Sequence, residues 1–146
     1  MRILAIDPGS KRIGVAISDP TGKIAGPLTV VEHVSRPVDA AVIAAIAIEH
    51  GAGLIVVGQS LDDDGLPTLE GRRAARLAAA IRDQTRLPVQ LWDESFSTAE
   101  ARSASLAMGT ARRKRQGHLD DLAATVILQS YLDACEQSAV DSNAKS

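Results

Sequence analysis

Asp7 ends the apolar run Ile3-Leu4-Ala5-Ile6, and Pro8-Gly9-Ser10-Lys11-Arg12-Ile13-Gly14 follows it. A carboxylate at the mouth of a hydrophobic strand is costly to desolvate unless something pairs with it. Two other acidic positions stand at comparable places. Asp93 and Glu94 follow the run Leu87 to Trp92, and Asp120 and Asp121 open the last apolar segment. If the three positions converge, their charges repel by on the order of 1 kcal/mol per pair in water, and roughly 4 at an effective dielectric of 20. A divalent cation offsets that repulsion, and oxygen-only donors suit Mg²⁺ or Mn²⁺ rather than Zn²⁺. Two such ions can clamp the attacking and leaving oxygens of a phosphodiester. Taken singly, each acid reads more simply as a cap or turn residue, and a helix N-terminus alone would favour Asp120 or Asp121. Asp7 is the exception, because its place behind a buried strand favours function.

The spacing leaves Asp93 and Glu94 undecided. On a helical wheel the most apolar arc of the last helix holds Leu119, Leu122, Ala123, Val126 and Ile127. Asp120 flanks that arc and Asp121 lies nearly opposite, which favours Asp120. Leu128 and Leu132 fall near Asp121, so the helix is apolar almost all round. Cations stand close to two of the acids. Lys11 and Arg12 are beside Asp7, and Arg112-Arg113-Lys114-Arg115 precede Asp120. Such a run is often only a solvated helix end, but next to a cation site it can seat a phosphate backbone. No aromatic residue is interleaved, so base stacking there is not expected. His118 reads as structural more readily than as a proton carrier.

These residues need elements to hold them. Met1 to Asp7 reads as a strand, as do Ile13 to Ile17 and Lys23 to Val31, and short Gly and Pro turns predict an antiparallel meander. Ser35 is a candidate N-cap, with Pro37 in the first turn of a helix over Val38 to His50. Leu54-Ile55-Val56-Val57 is continuously apolar, the mark of a strand buried on both faces. Asp62-Asp63-Asp64-Gly65 reads as a solvated turn. Helices are expected over Thr68 to Thr85, from Ser97 to near Gly109 behind a capping-box pattern, and over Leu119 to Glu136. Leu87 to Trp92 supplies a fifth strand. The order β-β-β-α-β-α-β-α-α predicts an α/β fold with a mixed five-stranded sheet, three antiparallel strands then two parallel ones, flanked by helices. Ligands in such sheets gather at the carboxyl ends of the strands.

The bulk composition agrees. The 146 residues suit one domain over 1–136, with the small, polar stretch 137–146 read as a disordered tail. Hydrophobic residues make up 45% of the chain and aromatic ones 2%, so Ala, Val, Ile and Leu must fill the core. The formal charge of −2 means a nucleic-acid partner must be met by a local basic patch. The single cysteine, Cys135, precludes an internal disulfide and fits a reducing cytoplasm. No apolar run is long enough to span a bilayer, so no membrane partner is expected.

Taken together, these residues resemble the YqgF family, the Holliday-junction-resolvase-like proteins also called pre-16S ribosomal RNA nucleases. The resemblance covers Arg2 to Asp133. It is carried by Asp7 to Ala16, Val56-Val57-Gly58, Asp64-Gly65, Leu91-Trp92-Asp93-Glu94, Ser97-Thr98, the basic run, and Asp120 through Leu122-Ala123-Ala124 to Ile127-Leu128-Gln129-Ser130-Tyr131-Leu132. It implies a ribonuclease H-like fold and a metal-dependent nuclease, with Asp7, Glu94 and Asp120 matching the family's acidic triad. It also implies trimming of the 5′ end of the 16S rRNA precursor. Three positions depart from the family pattern: Ser60 stands where Pro is usual, Ser95 where Arg is usual, and Asp121 where Lys is common.

On this reading Asp7 bridges two Mg²⁺ or Mn²⁺ ions, with Glu94 and Asp120 as further ligands. Lys11, Arg12, Arg112, Arg113, Lys114 and Arg115 hold phosphates. The partner is a nucleic acid, precursor rRNA ahead of branched DNA, and the chain is a monomer or homodimer. Two rivals predict different behaviour. A non-catalytic module gripping structured nucleic acid shows salt-sensitive binding without turnover. An ATPase-like phosphate binder of the actin and sugar-kinase kind shares the Asp-x-Gly hairpin, but this chain is short for two lobes and carries no second phosphate loop.

Overall fold

The computed structural model describes residues 1–96 and 120–144. The helix expected from Ser97, the basic run Arg112 to Arg115 and His118 lie outside the described residues. Strand β1 (Arg2–Pro8) pairs antiparallel with β2 (Arg12–Ser18), and β2 with β3 (Ala25–Glu32). The chain then crosses by α1 (Arg36–Glu49) to β4 (Ala52–Gln59), and by α2 (Leu69–Gln84) to β5 (Val89–Asp93). Both crossovers make parallel pairs, β1 with β4 and β4 with β5, so the sheet runs β3-β2-β1-β4-β5. A short 3-10 turn (Glu94–Phe96) follows β5, and α3 (Asp120–Ala144) closes the described chain.

The side-chain alternation of the strands makes two cores. Leu4 and Ile6 of β1 and Ile55 and Val57 of β4 pack under α1 and α2 with Ile43, Leu77 and Ile81. Ile3 and Ala5, with Leu54 and Val56, face the other way and are covered by Ala124, Leu128, Tyr131 and Leu132 of α3. Strand β4 is thus buried on both faces, as its unbroken apolar run requires. Small residues on β1 and β2 (Ala5 and Ala16) leave room for the α3 side chains.

Local signals set the helix starts. The Ser35 hydroxyl accepts from the Val38 N–H at 3.4 Å, and Pro37 lies in the first turn of α1. The Thr68 hydroxyl accepts from the Gly71 N–H at 3.1 Å and caps α2. Helix α3 runs to Ala144, and no Gly or Pro interrupts it. Ala123, assigned to the most apolar arc, is exposed, whereas Leu128 is fully buried. With apolar residues on nearly every side, the sheet selected the row Ala124, Leu128, Tyr131 and Leu132.

Candidate active site

The hairpin between β1 and β2 turns through Gly9 to Lys11, with Pro8 opposite Ile13. A side chain at Gly9 would place its Cβ 2.3 Å from the Arg12 carbonyl oxygen, so this tight turn needs glycine. Beside β1, the register sets Ile6 against Val57, which brings Asp7 alongside Gly58. Gly58 in turn pairs with Trp92, and Gln59 with Asp93. The carboxyl ends of β1, β4 and β5 therefore lie side by side. Trp92 lies two strand spacings from Asp7, about 10 Å at the backbone, and Glu94 follows it by two residues.

A cavity of about 540 Å³ opens at this edge. Asp7 and Glu94 both line it, together with Lys11, Arg12, Gly58 and Ser60. Its remaining wall comes from α2, through Glu70, Arg73 and Ala74. Sequence reading had missed Glu70 and Arg73. Their signal is not in spacing but in packing: the Thr68 amide donates to the Ser60 carbonyl at 3.1 Å, and the Gln59 side-chain amide donates to the Gly71 carbonyl at 3.2 Å. Those bonds hold the first turn of α2 against the end of β4. A Cβ on Gly71 would stand 2.0 Å from the Ser60 carbonyl oxygen, so glycine permits the approach. Ser60, where the family pattern has Pro, supplies that carbonyl and lines the cavity.

The cavity wall carries three carboxylates and three cations in near balance. Asp93 takes a different part from its neighbour: its carboxylate accepts from the Ser95 N–H at 2.9 Å and closes the 3-10 turn. The position left open between Asp93 and Glu94 thus divides into a turn residue and a cavity residue. Strand β5 is held from the other side by α3. Trp92 Nε1 donates to Ser130 Oγ at 2.9 Å, and the Trp92 and Tyr131 rings meet edge to face at 5.1 Å. Burial and the Cys135 thiol push the Tyr131 hydroxyl up to about 12.

Asp120 is the first residue of α3. Seven positions later, Ile127 packs at the end of β4, where a Cβ on Gly58 would stand 2.7 Å from Ile127 Cδ1. Among the described residues, no group of three or more His, Cys, Asp or Glu side chains comes together as a metal cluster. Asp62, from the acidic loop, is a turn residue as expected, accepting from the amides of Asp64 and Leu66 at 2.9 Å each. No helix among the described residues is long and apolar enough to cross a membrane.

Comparison with known proteins agrees with this architecture. A protein of Syntrophus aciditrophicus named "Putative pre-16S rRNA nuclease" is 40% identical over 144 residues, covering 99% of this chain and 96% of its own. A protein of the same name from Anaeromyxobacter sp. is 42% identical over 133 residues, covering 91% and 97%. Among solved structures, RuvC of T. thermophilus in complex with Holliday junction substrate matches with a TM-score of 0.63 at 14% identity, over 94% of this chain and 96% of that one. Fowlpox virus resolvase with substrate Holliday junction DNA matches at 0.58 and 12%, over 92% and 99%. These likenesses establish the ribonuclease H-like fold shared with RuvC. The family profile described as RuvX, Holliday junction resolvase, matches residues 1–134, and with that match the chain belongs to the RuvX family.

Proposed function

We propose that this protein hydrolyses phosphodiester bonds of nucleic acid, with the 5′ end of the 16S rRNA precursor as its substrate. The observation that carries the reading is that Asp7 and Glu94 line one cavity with Lys11 and Arg12 at the carboxyl end of the sheet. The names of the relatives, pre-16S rRNA nuclease, support RNA. The family description, Holliday junction resolvase, favours a second reading in which the same site cuts branched DNA.

The donors fit a hard divalent cation. Asp7 and Glu94 offer only oxygen, and neither His nor Cys lines the cavity. Asp7, Glu94 and Asp120 would hold Mg²⁺ or Mn²⁺. The match to the family's acidic triad supports Asp120 over Asp121. When bound, the cation supplies neutralisation of the charge that develops on the attacked phosphate. The chain's own part is to seat the strand. Lys11 and Arg12 draw a phosphate toward carboxylates that would otherwise repel it, and Arg112 to Arg115 contribute further phosphate contacts. The hairpin turn fixes Lys11, whose carbonyl accepts from the His33 N–H at 2.9 Å.

The test is cleavage of labelled precursor RNA and of a four-way DNA junction in Mg²⁺ and in Mn²⁺, beside Mn²⁺ binding measured by calorimetry. The wild type should cut with metal, and Asp7→Asn should lose both cutting and metal affinity. The better-cut substrate decides between the two readings. Normal cleavage by Asp7→Asn would remove the site assignment, and salt-sensitive binding without turnover in any metal would leave a binding module.

A further inference from the structure

A second cavity, of about 590 Å³, adjoins the first between α1 and α2. The two share Pro8-Gly9-Ser10 and Arg73, so the hairpin turn forms a common wall. Three arginines from two helices converge on the second cavity: Arg36 from the first turn of α1, and Arg73 and Arg76 from α2. The i,i+3 spacing puts Arg73 and Arg76 on one helix face. All three are exposed, and among the described residues none makes an ion pair.

The one carboxylate in the lining does not balance them. Asp39 is 2% exposed, and its carboxylate accepts from the Val34 N–H at 3.0 Å while meeting His33 Nδ1 at 2.5 Å. It is committed to fastening the β3–α1 connection, and it leaves Nε2 as the His33 nitrogen available to a ligand. The cavity is thus a cationic recess with fork-shaped donors, suited to an anion with several oxygens.

We propose that this recess is a second phosphate subsite, which takes a backbone phosphate of the same nucleic-acid strand beyond the bond at the acidic cavity. The proposal rests on reading the acidic cavity as the cleavage site. It goes further in assigning Arg36 and Arg76, which stand away from Asp7 and Glu94, to substrate grip. It also gives the α1–α2 side of the sheet a part in binding, separate from the basic run at Arg112 to Arg115. The shared wall makes one strand running across the hairpin the simplest occupant.

The test measures binding of labelled RNA and of a labelled four-way DNA junction to the full chain in chelator, across a salt series. Arg36→Gln/Arg76→Gln should weaken binding of the preferred ligand by about tenfold or more and lower the slope of log affinity against log salt by about one to two. Arg72→Gln, on the same helix but outside both cavities, should leave the slope close to that of the wild type. Thermal midpoints check that the exposed substitutions keep the fold. A double variant that binds with unchanged affinity and slope overturns the subsite, as does a wild type that binds neither ligand. The assignment of the acidic cavity fails separately: cleavage that survives Asp7→Asn removes it, and the binding loss in the arginine variant still stands.

Discussion

The two ends of the sheet use acids in opposite ways. Where β2 leaves the sheet, the Asp19 carboxylate accepts from the Thr21 hydroxyl at 2.5 Å and from the amides of Lys23 and Ile24 at 2.9 and 3.1 Å. Every one of these partners belongs to its own turn, and together they hold its carboxyl down at about 2. At the other end, Asp7 of β1 and Glu94 of the turn after β5 are far apart in sequence and line one cavity with cations from the hairpin. An acid whose partners are all local shapes a turn. Acids that topology collects from separate elements border a cavity instead. The same contrast separates Asp93, which closes its own 3-10 turn, from the adjacent Glu94.

The sharpest way to break that comparison is to exchange the consequences. Asp7→Asn should reduce cleavage by on the order of a thousandfold, as expected when several kcal/mol of charge stabilisation are lost. Its thermal midpoint should stay at or above that of the wild type. A variant that unfolds while the remaining folded fraction cuts normally would make Asp7 a structural acid like Asp19.

Gly9→Ala probes the hairpin that joins the carboxylate to the cations. The added methyl meets the Arg12 carbonyl, so the turn must shift, at a stability cost of about 1–3 kcal/mol. Because the turn also carries Lys11 and Arg12, KM should rise along with the loss of stability. Kinetics unchanged in the folded variant would show that this turn does not position the substrate.

Tyr131→Phe removes the hydroxyl that donates to Gln90 Oε1 at 3.1 Å, at a cost of about 0.5–1.5 kcal/mol by chemical denaturation. The raised Tyr131 hydroxyl favours the neutral form in the fold. Its contribution is complete below about 10 and is lost as pH rises through about 12, so the alkaline limb of the stability profile should flatten in the variant.

The smallest effect belongs to Asp19→Ala, which should leave cleavage untouched. Its depressed carboxyl contributes stability that is present above about 3.8 and lost as pH falls through about 2. The wild type should therefore show a small extra acid-limb loss in that window that the variant lacks. A cleavage defect in Asp19→Ala would blur the distinction between the two ends.

Much of this was legible along the chain because the signals were local. Short Gly and Pro turns announce the meander, Ser35 announces α1, and the four-residue apolar run announces a strand covered on both sides. Asp7 was legible because a charge after four buried residues demands a reason. The parts contributed by Glu70, Arg73 and Arg76 were not, since their significance depends on how α2 docks against Ser60 and the hairpin. Of the apolar arc read for α3, Leu122, Val126 and Ile127 are buried and Ala123 is not, because a helix apolar on most sides has no single stripe to read.

The close approach of Ile127 to Gly58 makes a fulcrum of that contact. The seven residues ahead of it form an arm of about 10 Å ending at Asp120. A tilt of about 3° about the contact would move that residue by about 0.5 Å. The Trp92–Ser130 bond and the edge-to-face ring pair lie just beyond the pivot, and they resist such a swing. The size of a single buried side chain thus bears on where the first residue of α3 stands, two helical turns away.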